Sequence, residues 1–165
     1  MKAFNLLLAL AIFSMILISC QQPSGKKRSD QKEHAQSYNQ ELAQKLKADQ
    51  YGMSRYVLAF LKKGPNRDQD SITAAQLQKA HLENIMKMAE EGTLVLAGPF
   101  MDDGDIRGIY IFNVATVDEA KRLTESDPAI QTGRLVMELH PWYGSAAVKE
   151  INTIHNQLIK KSMLE

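Results

Sequence analysis

His81 is the residue of this 165-residue chain whose chemistry best suits proton transfer. An imidazole titrates near neutral pH, so it can take up a proton and return it, while a carboxylate can orient the ring and stabilise its charged form. The same His81 also reads as a hydrogen-bonded polar residue at the edge of an apolar helix face. Asp127 has an ordinary structural account: its carboxylate can bond to nearby backbone, and Pro128 can stop a helix. Ser126 either caps the following turn or offers a hydroxyl to a ligand. Gly98 and Pro99 shape the chain at a pocket rim, and His140, Trp142 and Tyr143 supply either a polar and aromatic wall or an interface. Asp102, Asp103 and Asp105 lack the oxygen ligands and terminal Glu of a calcium loop and read as a solvated acidic turn. No clustered Cys and His, phosphate-binding loop or dinucleotide glycine pattern occurs, so neither a metal nor a cofactor is expected.

The elements that must position these residues are legible from periodicity. Tyr56–Leu61 form an apolar run suited to a buried strand. Thr73 and Gln76 are spaced as a capping box, with Ile72 and Leu77 as a hydrophobic staple, so a helix is expected from Thr73. Leu77, His81, Ile85 and Met88 share one face of it, and Gly92 ends it. Strands follow at 93–97 and 109–114, then a helix opened by the Thr116 and Glu119 box, and a last strand at 135–140 with Leu135, Met137 and Leu139 on one face.

This order, β-α-β-β-α-β, is ferredoxin-like and belongs to the α+β class. Two helices cover one sheet face only, yet the strands at 56–61 and 109–114 present apolar side chains in both directions. A second subunit covering the other face would bury apolar area at roughly 25 cal/mol per Å² before association costs, so a homodimer is expected. The alternative cover is the chain's own tail, where Val148, Ile151, Ile154, Leu158 and Ile159 line an amphipathic helix over 146–165.

Residues 55–143 resemble a YCII-related domain of the dimeric α/β-barrel group. The resemblance rests on His81 with Leu82, the Ala97, Gly98, Pro99 turn, Gly108, Asp127 with Pro128, Gly133, and Glu138 through Trp142. It implies two ferredoxin-like subunits joining their sheets into a barrel, a small cavity between sheet and helices, and a catalytic pair falling on His81 and Asp127. Ala129 departs from the pattern, since an aromatic residue commonly follows the Asp and Pro; the change would widen the pocket or mark loss of the ancestral substrate. The function expected is isomerisation, elimination or related proton transfer on an unidentified small molecule. A noncatalytic ligand-binding or envelope interaction domain is the alternative.

The N-terminus resembles a bacterial lipoprotein signal. Lys2 precedes an apolar stretch, Leu6–Ile18, that ends in Leu17, Ile18, Ser19 and Cys20. The resemblance implies removal of residues 1–19, acylation of Cys20, and a periplasm-facing protein held on the membrane by two or more acyl chains. Gln21 in place of Asp matches lipoproteins moved onward to an outer membrane. Residues 20–50 then read as a polar tether and 51–145 as the domain. The whole chain carries 20 Lys plus Arg against 19 Asp plus Glu, and losing Lys2 makes the mature protein formally neutral. Nucleic-acid binding depends on concentrated positive charge, so no nucleic-acid partner is expected.

Overall fold

The computed structural model describes residues 37–164, so Cys20, the signal segment and most of the expected tether lie outside the described residues. Within the described residues no helix is long and apolar enough to cross a membrane. One compact unit spans Asn39–Glu165. It therefore begins inside the stretch read as tether: α1 (Gln40–Lys45) is capped by Asn39, and Leu46 is buried just after it. Asp49 accepts a hydrogen bond from the Tyr143 hydroxyl, and Lys149 Nζ donates to Leu46 O at 2.6 Å, which tie this segment to the body.

Four strands make one antiparallel sheet in the order β2-β3-β1-β4, where β1 is Met53–Lys63, β2 Leu94–Pro99, β3 Ile106–Phe112 and β4 Leu135–Ser145. This is the expected ferredoxin-like arrangement. The central strand β1 pairs along its whole length with β4, from Met53 opposite Ser145 to Lys63 opposite Leu135, so both outrun the strands expected from hydrophobicity alone. The helices are α2 (Ser71–Glu90), α3 (Val117–Thr124) and the single turn α4 (Pro128–Gln131).

The expected dimeric α/β barrel is corrected by this topology. β2 and β4 are opposite edges of an open sheet, and no strand pairing joins them, so the sheet does not close. The C-terminal helix is also shorter than expected. A 3-10 turn (Ala146–Glu150) and α5 (Ile151–His155) stand in place of the expected helix over 146–165. Val148 packs against Tyr56, Val95 and Ile111 on the sheet face away from α2, and Asn152 Nδ2 donates to Leu94 O at 2.8 Å. Farther along, Leu158 is 72% exposed and has no surface to bury its side chain on, so nothing outweighs the entropy of extending the helix.

The two helix starts differ in outcome. At α3 the Thr116 and Glu119 box forms as expected. At α2 the cap lies three residues earlier: the Asp70 carboxylate accepts from Ile72 N at 2.9 Å, Thr73 N at 3.0 Å and the Thr73 hydroxyl at 2.7 Å. A charged acceptor at the helix start is favoured by the helix dipole, and Ile72 is left exposed rather than stapled. The main core lies between sheet and helices, built from Val57, Ala59, Leu61, Met88, Leu94, Tyr110, Phe112 and Ala120, with Leu135, Met137 and Leu139 against it.

Candidate active site

The third turn of α2 carries His81 into this core, where only 7% of the residue is exposed. Its Nδ1 lies 2.6 Å from Oδ2 of Asp127, which is wholly buried. The other carboxylate oxygen, Oδ1, accepts from Ala129 N at 2.8 Å, and Asp127 thereby caps α4. Asp127 thus bonds the His81 ring through one oxygen and the backbone that follows Pro128 through the other. Pro128 at the first helical position has no amide hydrogen to lose there, so the chain turns sharply and holds the carboxylate still.

A carboxylate accepts only, so Nδ1 of His81 carries the proton and Nε2 of the neutral ring is an acceptor. The Tyr110 hydroxyl stands 3.2 Å from Nε2, and the two rings are nearly parallel. Burial, and secondarily the Asp127 charge, push the Tyr110 hydroxyl well above the ordinary tyrosine range. It is therefore a neutral donor at physiological pH. Tyr110 projects from β3 to the helix side, where Phe112 meets it edge-on. In the sequence Tyr110 reads as part of the apolar strand at 109–114. The available signal was that a buried tyrosine requires a partner for its hydroxyl.

His81 and Tyr110 open onto a cavity of about 460 Å³ whose lining includes Gln78, Leu82, Ile85, Gly98, Pro99 and Ala129. Gly98 and Pro99 are part of this lining. At Gly108 an added Cβ would stand 2.6 Å from Gly98 O, so the cavity wall at this β2 and β3 crossing requires glycine. Ala129, the departure from the family pattern, faces the cavity, where an aromatic side chain would take up space. Three further lining residues, Arg67, Arg107 and Arg134, carry no sequence signal, because an isolated arginine has no diagnostic spacing.

Three expected pocket residues lie elsewhere. Ser126 is exposed, donates to Leu123 O at 2.7 Å and reaches Asn84 rather than the cavity. His140 and Trp142 alternate with core-facing Leu135, Met137 and Leu139 along β4, so they occupy the opposite sheet face. His140 pairs there with Glu138 at 2.8 Å. Trp142 tilts against Tyr56 and lines a separate, open cleft of about 800 Å³ with Lys47, Asp49 and Arg55. Among the described residues no group of three His, Cys, Asp or Glu side chains is placed to hold a metal ion.

The YCII-related domain matches residues 56–143. No curated protein matches the chain. Among solved structures the chain is similar to 5-chloro-2-hydroxyhydroquinone dehydrochlorinase from Burkholderia phenoliruptrix AC1100, in complex with 2,5-dihydroxybenzoquinone. Identity is 19%, the TM-score is 0.40, and the match covers 52% of this chain and 92% of that one. With its family pattern running from the central strand through the end of the last one, the chain belongs to the YCII-related domain family.

Proposed function

We propose that this protein catalyses proton transfer, as isomerisation or elimination, on a small molecule bound in the cavity beside His81. Asp127 fixes the ring with Nδ1 protonated and stabilises the imidazolium formed when Nε2 accepts a proton. In the free site the Tyr110 hydroxyl, kept as a phenol by burial, donates to Nε2; a bound substrate takes the place of that bond, which opens Nε2 to the proton and turns the hydroxyl toward negative charge developing on the substrate. The observation that carries the reading is the 2.6 Å contact between a cavity-lining histidine and a carboxylate sealed from solvent behind it. Leaving such a pair buried is costly unless every bond is satisfied, and here the backbone of Ala129 and the Tyr110 hydroxyl complete the set.

The test is to incubate the full chain with a bacterial small-metabolite extract in D2O and follow conversion and deuterium uptake by mass spectrometry. At least one compound should change, and His81→Ala should abolish the change. Equal conversion by His81→Ala would remove the catalytic assignment. Depletion of a compound by binding, with no conversion by either protein, would instead favour a ligand-binding domain.

The proposal extends to location and assembly. Acylation of Cys20 would hold the domain on an envelope membrane, facing the periplasm, and mass analysis of the mature N-terminus checks it. A homodimer is proposed on narrower ground than a bare sheet face: Leu58, Phe60 and Ile109 are half-buried on the face away from α2, which Val148 covers in part. Analytical ultracentrifugation decides it.

A further inference from the structure

Among the described residues the cavity lining contains Arg67, Arg107, Arg134, His81 and His155, and no Asp or Glu. Asp127, the carboxylate paired with His81, is 0% exposed and already bonded through both oxygens. Each arginine is braced by neutral acceptors: Arg67 by Arg134 O at 3.2 Å, Arg107 by Asp102 O at 2.9 Å, and Arg134 by Gln69 Oε1 at 2.7 Å. Among the described residues none of the three forms a salt bridge, although lysines in the same structure do. Three arginines thus line one concavity, and no carboxylate among the described residues pairs with any of them; Arg107 leans on the 102–105 turn only through the carbonyls of Asp102 and Gly104. The remaining lining is apolar, with Leu82, Ile85 and Leu135 among it.

Resting on the acid-base reading above, we propose that the ligand of this cavity is a small organic carboxylate, its anionic group held by the arginines and its carbon skeleton against the apolar wall beside His81. A guanidinium presents a planar fork that matches a carboxylate through two parallel hydrogen bonds, and a concave site lined by one sign of charge concentrates the opposite ion. The cavity of about 460 Å³ lies toward the small end of ligand pockets, which suits a metabolite rather than a polymer. The same arginines would oppose the accumulation of negative charge less than any neutral wall would, so a base at His81 can remove a proton from a substrate that is already an anion.

The test titrates the purified full chain with benzoate, with its neutral isostere benzamide, and with inorganic phosphate, following the His81 and Tyr110 ring signals by NMR. Benzoate should bind saturably, with benzamide and phosphate each weaker by about tenfold or more, which is about 1.4 kcal/mol. Arg134→Gln and Arg107→Gln should each lower benzoate affinity by about tenfold. Benzamide binding as tightly as benzoate, or benzoate failing to shift either ring, overturns the inference without any variant having to fold. Phosphate binding as tightly as benzoate would overturn the organic part of it. The outcomes separate from those of the acid-base reading. Benzoate binding to His81→Gln within roughly threefold of the parent, alongside undiminished conversion by that variant, would sink the catalytic assignment and leave the carboxylate site standing.

Discussion

Two histidines in this domain touch carboxylates at almost the same distance, and only one of the pairs is built for chemistry. His81 meets Asp127 at 2.6 Å with side chains 8% and 0% exposed, whereas His140 meets Glu138 at 2.8 Å with side chains 48% and 47% exposed. The first carboxylate has a fixed backbone donor in Ala129, and the first imidazole has Tyr110 at its second nitrogen. The second carboxylate is shared with Lys62 at 2.6 Å, and water reaches the whole cluster. Distance therefore carries little information by itself. What differs is whether removing one partner strands the other in a medium that cannot solvate it.

Breaking the two pairs should separate them most sharply in turnover. For whichever compound the D2O screen identifies, His81→Gln should lower the rate by about 10²–10⁴, the range for a positioned acid or base, while His140→Gln should leave it within about twofold. Equal effects would mean that the buried pair is structural. Next in size is stability: Asp127→Ala deletes a buried partner and the α4 cap together, and should cost about 3–5 kcal/mol in urea denaturation. A loss under about 1 kcal/mol would show that water enters behind His81 and replaces the carboxylate.

The contrast between these pairs was half legible in the sequence. The β-α-β-β-α-β order put both helices on one sheet face, because capping boxes and period-two alternation are local signals. The pairing of His81 with Asp127 came instead from the family resemblance, since Asp127 before Pro128 reads by itself as a helix stop. Alternation along β4 already separated Leu135, Met137 and Leu139 from Val136, Glu138 and His140, so His140 could have been assigned to the far face; the aromatic cluster around Trp142 drew it wrongly toward the pocket. The 2.6 Å contact itself spans 46 residues, and no local pattern encodes it. Tyr110 was hidden for a different reason, since a strand tyrosine packs like any apolar residue until its hydroxyl's partner is known. The barrel failed because sheet closure depends on a pairing between edges that this sheet keeps apart, and the tail helix because Val148 finds the sheet while Leu158 finds nothing.

Tyr110 sharpens the comparison at the alkaline side. Tyr110→Phe should cost about 1 kcal/mol at neutral pH, the net worth of one hydrogen bond. Its sign with pH follows from burial holding the native hydroxyl above the ordinary tyrosine value. Below pH about 10 both folded and unfolded chains keep the phenol protonated, and the native advantage is full. Above that, the unfolded chain ionises first and stability falls. Urea midpoints between pH 9 and 11 should therefore drop more steeply in the parent than in Tyr110→Phe. Part of the slope remains in the variant, because burial also raises Tyr56. Parallel slopes would mean that the hydroxyl is reachable by solvent and is no fixed partner of His81.

The exposed pair should give the smallest response, on the acid side. The hydrogen bond from Lys62, followed by that from His140, holds Glu138 below the ordinary glutamate range. A depressed native value contributes stability above the unfolded value, near 4.3, and that contribution is lost as pH falls through the native value. Glu138→Gln should slightly flatten this acid limb, and the flattening should fade as salt screens the exposed charges. Scanning the urea midpoint from pH 6 to 3 at low and high salt measures it. A salt-insensitive loss as large as that of Asp127→Ala would require Glu138 to be sealed from water in solution. A second copy of the chain lying across Phe60 and His140 would do that, and the two histidine pairs would then differ in which molecule buries them rather than in whether they are buried.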